Sequence, residues 1–265
     1  MLRAPDAPPD SPPAHVLVIA TLGATERRAP RFGRRTKQVD APPEPEPAQV
    51  STGRATVIDV AERLVDESRA AAWLKHAGEE RLAEDLAVLN RALHAFRLAT
   101  ADPYLNSVER RQALVARIGY GLGEEVAEGL WTDARELVVL DRRQRRSRIL
   151  HPQARLAALL SGRERPLASE ELALRARLDL EHDRRRESAL QLLVALDAAI
   201  AELASDEHAE EVAGRIDELR EQRDPVAHAA QAALEGPLDE AQSETVTFAL
   251  GRVEAALRAR LAAGR

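Results

Sequence analysis

The sequence predicts an all-α fold, with a helical hairpin region, a C-terminal helical bundle and a disordered N-terminal arm. Two observations lead to this prediction. Alanine, leucine, arginine and glutamate are abundant among the 265 residues and favour helix, whereas aromatic residues make up only 3%. Apolar residues recur at alternating spacings of three and four, which is the period of an amphipathic helix. No alternating run of residues demands a sheet.

The composition excludes several classes of protein. The chain has no cysteine, and therefore no disulfide, thiolate metal site or cysteine nucleophile. The net charge of −6 argues against binding of nucleic acid or membranes over the whole surface. No apolar run approaches the ~18 residues that span a bilayer. The apolar stretch His15–Gly23 has no basic segment before it, so we interpret it as non-targeting and expect a cytoplasmic protein.

Residues 1–56 are predicted to form a disordered arm rich in proline and arginine. Proline pairs and the acidic stretch Ala41–Pro47 (APPEPEP) neither continue a helix nor bury enough surface to order the chain. Between these parts lies a basic patch that includes Arg34 and Arg35. The patch is either a solvated tail or an electrostatic tether to nucleic acid or to an acidic partner.

Residues 57–140 form the predicted N-terminal helical region, with helices over Val60–His76 and Glu79–Thr100 joined as a hairpin. The second helix has five apolar residues on one stripe: Leu82, Leu86, Leu89, Leu93 and Phe96. A third helix is expected from an N-cap at Ser107 towards Gly119. The glycines of Gly119–Gly123 are attributed to a helix break or a close helix crossing. A phosphate-binding loop is disfavoured because the preceding strand and the GK[ST] ending of that motif are missing.

Residues 141–165 are predicted to be an arginine-rich junction with a short helix that begins near Pro152. Five guanidinium groups lie within seven residues: Arg142, Arg143, Arg145, Arg146 and Arg148. Such a run either neutralises phosphates of a nucleic acid or pairs with acidic residues within the chain or in a partner. No aromatic residue is interleaved to stack on exposed bases, which argues against single-strand recognition.

Residues 166–265 are predicted to form a C-terminal bundle of at least four helices. These are expected over Ser169–Asp183, Arg186–Ala204, Glu207–Gln222 and Glu240–Ala262. The second of them has a stripe that forms either an intramolecular core or a surface for partner helices: Ala189, Leu193, Leu196, Ile200 and Leu203. The first two helices also resemble one tetratricopeptide unit, although a solenoid needs about three such repeats.

The segment Arg223–His228 (RDPVAH) is the most specific candidate site. Pro225 is expected to break the chain and to open a new helix. A guanidinium is a bidentate phosphate ligand, and a histidine that titrates near neutrality is a general acid or base. Held together beside an RNA phosphate, Arg223 and His228 would support attack by the 2′-hydroxyl without a metal.

This arrangement of an arginine, a polar residue, three further residues and a histidine in a late helix resembles the HEPN nuclease superfamily. The stretch from Asp179 to Leu203 (DLEHDRRRESALQLLVALDAAIAEL) is similar to the opening hairpin of those domains, with Asp197 at the place of an acidic residue. The resemblance covers about residues 169–260. It implies that Arg223 and His228 form the active pair, that Asp224 is their polar neighbour, and that two copies pair across an interface.

Two functions from different classes follow from these observations. The missing catalytic and metal-binding motifs favour a non-enzymatic interaction or scaffold protein, which binds a protein partner or another copy of itself through helix faces. The alternative is a metal-independent HEPN-type ribonuclease or an inactive, RNA-binding relative. We predict no metal, no cofactor and no membrane partner, and the sequence identifies no small-molecule ligand.

Overall fold

The computed structural model describes six parts of the chain: residues 1–4, 8, 10–22, 52–61, 63–137 and 152–263. The chain forms two compact units, Met1–Val139 and Leu140–Arg265. Helices account for 61% of the described residues and strands for 12%. The predicted predominance of helix is therefore confirmed, whereas the prediction of a purely α fold is wrong.

Two strands pair in the first unit. β1 (His15–Leu22) and β2 (Thr52–Asp59) are antiparallel and are paired along their full lengths. This pairing corrects the prediction of a disordered arm over residues 1–56 for the parts of it that lie in the two strands, residues 15–22 and 52–56. Valine, isoleucine and threonine are frequent in both segments and favour strands, and each strand satisfies backbone groups of the other. Residues 23–51, with the basic patch and the acidic stretch, lie outside the described residues.

Two helices follow in the first unit. α1 (Glu67–His76) begins after Asp66, whose carboxylate accepts a backbone N–H of the first turn at 2.8 Å. α2 (Glu79–Thr100) ends where Ala101 adopts the left-handed conformation, with a φ of 53°. The predicted start of the first helix at Val60 was too early, because the extended chain of β2 continues to the residue before it.

A small α/β element takes the place of the third helix that was predicted from Ser107 towards Gly119. It consists of β3 (Arg117–Tyr120), α3 (Gly123–Glu128) and β4 (Asp133–Glu136), and its two strands are antiparallel. A strand therefore does lead into the glycine-rich segment and includes its first two residues, Gly119 and Tyr120. The helix that follows is too short and too acidic in its first turn to hold a phosphate.

Two local contacts explain why the chain is extended in this element. The side chain of Asn90, buried in α2, accepts the backbone N–H of Val108 at 2.7 Å and donates to its carbonyl oxygen at 3.0 Å. A helix that began after Ser107 would use this carbonyl oxygen internally, so its contact with Asn90 favours an extended chain. Gly119 lies so close to β4 that a Cβ atom would be 2.5 Å from the carbonyl oxygen of Asp133. Gly119 therefore serves the close approach of two strands, and its assignment to a helix break or crossing was wrong.

The described residues of the second unit form five helices: α4 (Pro152–Leu160), α5 (Ala168–Glu181), α6 (Arg185–Ala204), α7 (Ala213–Glu235) and α8 (Glu240–Ala263). The prediction that Pro225 opens a new helix is wrong, because α7 continues through it. Pro225 is exposed and deprives the helix of one internal hydrogen bond. Burial of Leu219 before it and Val226 after it keeps both halves of α7 on the same core.

α6 occupies the centre of the second unit, where it packs against α5, α7 and α8. Six apolar residues of α6 are completely shielded from solvent: Ala189, Leu192, Ala195, Leu196, Ala199 and Leu203. α7 and α8 add large, fully buried side chains to the same core: Leu219, Val226, Val246, Leu250 and Val253. The apolar stripe predicted along α6 is therefore used within the chain, and small alanines allow the helix axes to approach closely.

A carboxylate at the end of α6 caps the start of α5. The side chain of Glu202 accepts the backbone N–H groups of Ala168 at 2.9 Å and of Ser169 at 3.0 Å. Partial burial pushes the pKa of Glu202 upwards, but the hydrogen bonds from Ser169 and Ala168 and the charge of Arg260 outweigh it. The pKa of Glu202 therefore lies below its usual value.

We expect Glu202→Gln to lower the free energy of unfolding by about 1 kcal/mol at pH 7, because the first turn of α5 loses a charged cap. The folded-state pKa of Glu202 is depressed, so its contribution is complete above the unfolded-state pKa of about 4.3. The contribution is lost as the pH falls through the folded-state pKa. Urea denaturation at pH 7 and at several lower pH values should therefore show the two proteins converging in acid.

Glu221→Gln is the matched control for this measurement. Glu221 is exposed on α7 and has no hydrogen bond or ion pair within the described part of the chain. Its replacement should leave the urea midpoint unchanged at every pH. The capping role of Glu202 would be refuted if Glu202→Gln and Glu221→Gln unfolded at the same urea concentration at pH 7.

Candidate functional site

The predicted catalytic residues lie in the middle of α7. Arg223, Asp224 and His228 are all exposed. Because α7 is continuous through Pro225, helical geometry fixes the directions in which they leave the axis. Five residues of an α-helix rotate by about 140° beyond a full turn, so Arg223 and His228 project from different sides of α7.

Arg223 forms an ion pair with a carboxylate of α6. Its Nε and Nη2 atoms donate to the two carboxylate oxygens of Asp197 at 2.9 and 3.3 Å. Asp224 is more distant, with its carboxylate 4.0 Å from Nη1 of Arg223. The bidentate carboxylate occupies the edge of the guanidinium that a phosphate would use in the same way. Sequence reasoning singled out Asp197 only as an acidic position of the HEPN-like hairpin, and the structure shows its contact with Arg223.

The Asp197–Arg223 pair should contribute little to stability. About half of each side chain is exposed, so solvent screens the pair and limits its contribution to about 0–1 kcal/mol. We therefore expect Asp197→Ala and Arg223→Ala to unfold at nearly the wild-type urea concentration. A double-mutant cycle measures the coupling, and a value well above 1 kcal/mol would contradict this expectation. Arg223→Ala is consequently a suitable variant for functional assays.

His228 makes a contact that is common on these helices. Its Nδ1 atom lies 2.8 Å from the carbonyl oxygen of Asp224, one turn earlier. Because a carbonyl oxygen only accepts, Nδ1 carries the proton, and Nε2 is the acceptor of the neutral ring. His76 and His182 make the same contact one turn back along their own helices. The geometry of His228 is therefore not specific to a catalytic site.

The surroundings of His228 are acidic. Spacings of three and four place it on one exposed stripe of α7 with four carboxylates, of which the first is paired with a nearby arginine, Arg220, at 2.8 Å: Asp217, Glu221, Asp224 and Glu235. A surface of this charge repels the phosphates of RNA. The assignment of Arg223, His228 and Asp224 as catalytic stays a prediction, and the geometry directs its two main groups to different sides of the helix.

The other predicted binding surfaces have different outcomes. The arginine run from Arg142 to Arg148 lies outside the described residues, so its role in binding nucleic acid or a partner stays a prediction. On α2, Leu82 packs against the core of the first unit, whereas Phe96 at the other end of the stripe is exposed. None of the helices that the structure describes has both the length and the apolar character to cross a membrane.

A network of charged side chains in the second unit was not predicted from the sequence. Arg155 of α4 donates to Glu164 at 3.0 Å and to Glu170 at 2.6 Å, and Arg260 of α8 donates to Asp206 at 2.7 Å. Its members come from separate segments, so no local spacing identifies it. Each of these carboxylates already has a guanidinium partner. Within the described ranges, no group of three or more histidine or acidic side chains is placed to hold a metal ion.

Two leucines lie on the outward face of α5. Leu174 and Leu178 are one turn apart, with 67% and 39% of their surfaces exposed. The opposite face of α5 carries Ala173 and Ala176, which belong to the buried core. Sequence reasoning missed this surface. The signal was that both leucines fall outside the stripe of small residues along the same helix.

Compared with protein-family models, curated proteins and solved structures, the chain shows no match. The resemblances to HEPN domains and to a tetratricopeptide unit therefore stay hypotheses. Any function has to be inferred from the contacts and surfaces of the chain itself.

Proposed function

We propose that the chain is a non-enzymatic interaction protein whose second unit binds a partner protein through the outward face of α5. The exposure of Leu174 and Leu178 in the centre of this face is the observation that carries the proposal. Leu172 and Leu180 of the same helix are half-buried and pack against the core. Covering the two exposed leucines would remove their apolar surface from water, at roughly 25 cal/mol per Å².

The charges around the two leucines suit a protein partner. Glu171 and Arg175 form an ion pair of 2.9 Å on the outward side of α5, and both side chains are more than half exposed. They provide a polar rim beside an apolar centre, as in many protein interfaces. A partner helix with apolar residues three or four apart fits a helix face of this kind.

The geometry of α7 favours this proposal over a HEPN-type ribonuclease. A phosphate that bound Arg223 bidentately would have to displace Asp197. It would also have to approach His228 across a row of carboxylates on another side of the helix. Both steps oppose the binding of RNA at the predicted active pair.

We expect the purified chain to leave mixed RNA intact in the presence of EDTA, because the predicted active pair does not converge on one phosphate. The measurement compares the wild type with Arg223→Ala, His228→Ala and the control Glu221→Gln. Cleavage by the wild type and by Glu221→Gln, but by neither of the other two, would establish the ribonuclease and refute the interaction proposal.

We expect a photo-reactive residue at Leu178 to form one discrete cross-linked product in cells that make the protein naturally. The same probe at Glu221, on the acidic face of α7, is the control and should not form that product. Leu174→Glu should reduce the product at least about five-fold, since a charge on this face opposes its burial. Mass spectrometry of the product identifies the bound molecule.

Two results would refute the α5 face as the binding surface. The first is the same set of products from the probes at Leu178 and Glu221. The second is a product whose yield is unaffected by Leu174→Glu while the melting temperature of that variant stays at the wild-type value. Because Leu174 is mostly exposed, its replacement should leave the unit folded.

A further inference from the structure

No contact in the described part of the chain explains why residue 251 is a glycine. It lies in the middle of α8 (Glu240–Ala263), where glycine is less favourable than alanine. A Cβ atom at Gly251 would have no atom within 4 Å, and its φ is not in the left-handed region. Neither packing nor backbone conformation therefore requires a glycine. Gly251 is half-buried, and its missing side chain leaves room for the close approach of another molecule.

Gly251 lies at the centre of a row of residues on the outward face of α8, here called the α8 seam. Its members are spaced alternately by three and four: Ala241, Glu244, Phe248, Gly251, Ala255, Arg258 and Ala262. None of them belongs to the core of the second unit. Phe248 is 53% exposed, and Arg252 covers one face of its ring at 4.9 Å from the centroid. The seam is thus an unpartnered helix face with one large apolar side chain.

The α8 seam carries opposite charges at equal distances on either side of Gly251, so two antiparallel copies would place opposite charges together. Glu244 lies seven residues before Gly251 and Arg258 seven residues after it, each about 10 Å away along the axis. Arg258 makes only a distant contact of 3.9 Å with Glu254, whose carboxylate binds Arg177 at 2.7 Å. Glu244 is exposed and has no ion pair or hydrogen bond among the described residues. Both charges are therefore available to another molecule.

We propose that two copies of the chain dimerise by antiparallel packing of their α8 seams, with Gly251 of one copy against Gly251 of the other. In this arrangement Glu244 lies opposite Arg258 of the second copy, and Phe248 lies opposite Glu254, next to the seam residue Ala255. The two-fold axis repeats each of these contacts. A parallel arrangement would place like charges together and one Phe248 against the other, so the antiparallel arrangement is favoured.

The small residues of the α8 seam suit a second copy of the same helix as the binding partner. A helix pair with glycine and alanine at the crossing point can approach more closely than one with larger side chains, and Phe248 fills the space above Ala255. One helix pair buries less than the about 1,600 Å² of a standard interface, so the dimer should be reversible, with a Kd of about 1–100 µM. The α8 seam lies on a different helix from Leu174 and Leu178, so this proposal does not depend on the α5 face.

Charge reversal of the full chain tests the pairing by sedimentation equilibrium. Glu244→Arg and Arg258→Glu should each weaken the dimer at least about ten-fold, because both symmetric ion pairs become repulsive. An equimolar mixture of the two variants should form a heterodimer of wild-type affinity, and so should the doubly reversed protein with itself. Glu221→Arg on α7 is the control and should dimerise like the wild type.

Substitution of Gly251 separates dimerisation from folding. Gly251→Ala improves helix propensity and meets no atom of its own chain, so the melting temperature of the monomer should rise by about 2–4 °C. The same variant should dimerise at least about five-fold more weakly, because the added methyl group separates the helices. Gly251→Leu should leave only monomer.

Three results would overturn the proposal. The first is a wild-type chain that stays monomeric at about 500 µM, well above the expected Kd. The second is a dimer whose affinity is unchanged by Glu244→Arg, Arg258→Glu and Gly251→Ala, which would assign dimerisation to another surface. The third is a mixture of the two charge variants that does not associate. Circular dichroism of each variant confirms that it is folded before these comparisons are made.

Discussion

Close packing around α6 determines the arrangement of the second unit. Six apolar residues of α6 are shielded completely, and half of them are alanines that leave room for a neighbouring helix axis. Because α5, α7 and α8 all pack against this one helix, the inward face of each is fixed, and its outward face is fixed with it. This constraint leaves Leu174, His228 and Phe248 exposed. The surface of the unit is thus a consequence of how its core is filled.

The sequence predicts those elements whose stabilising pattern lies within the element itself. α5, α6 and α8 repeat apolar residues at helical spacing within the element itself, and burial of that stripe stabilises the helix. β1 and β2 could not be predicted, because each depends on a partner beyond residues 23–51 that no spacing within the strand reveals. Likewise, Asn90 holds the backbone of Val108 from a different element. At Pro225, burial on both sides outweighs the local tendency to end a helix.

The same distinction applies to the candidate sites. Arg223 and His228 are neighbours in sequence, but their directions depend on whether α7 is continuous, which local rules for proline misjudged. The contact between Arg223 and Asp197 joins two helices, so it required the packing of α6 on α7. Leu174 and Gly251 are unremarkable as residue types. What distinguishes them is the exposure of the Leu174 side chain and the open space beside Gly251. Both depend on how the other helices pack, so only the structure shows them.

The capping of α5 by Glu202 also bears on the order of events during synthesis. The two ends of this contact are 34 residues apart, so the start of α5 emerges from the ribosome well before its capping group exists. α5 has 14 residues, and isolated helices shorter than about 12–15 residues are marginal in water. Nascent α5 should therefore remain largely non-helical until α6 has been translated. The two helices are then expected to fold together, because the end of α6 supplies the cap for the start of α5.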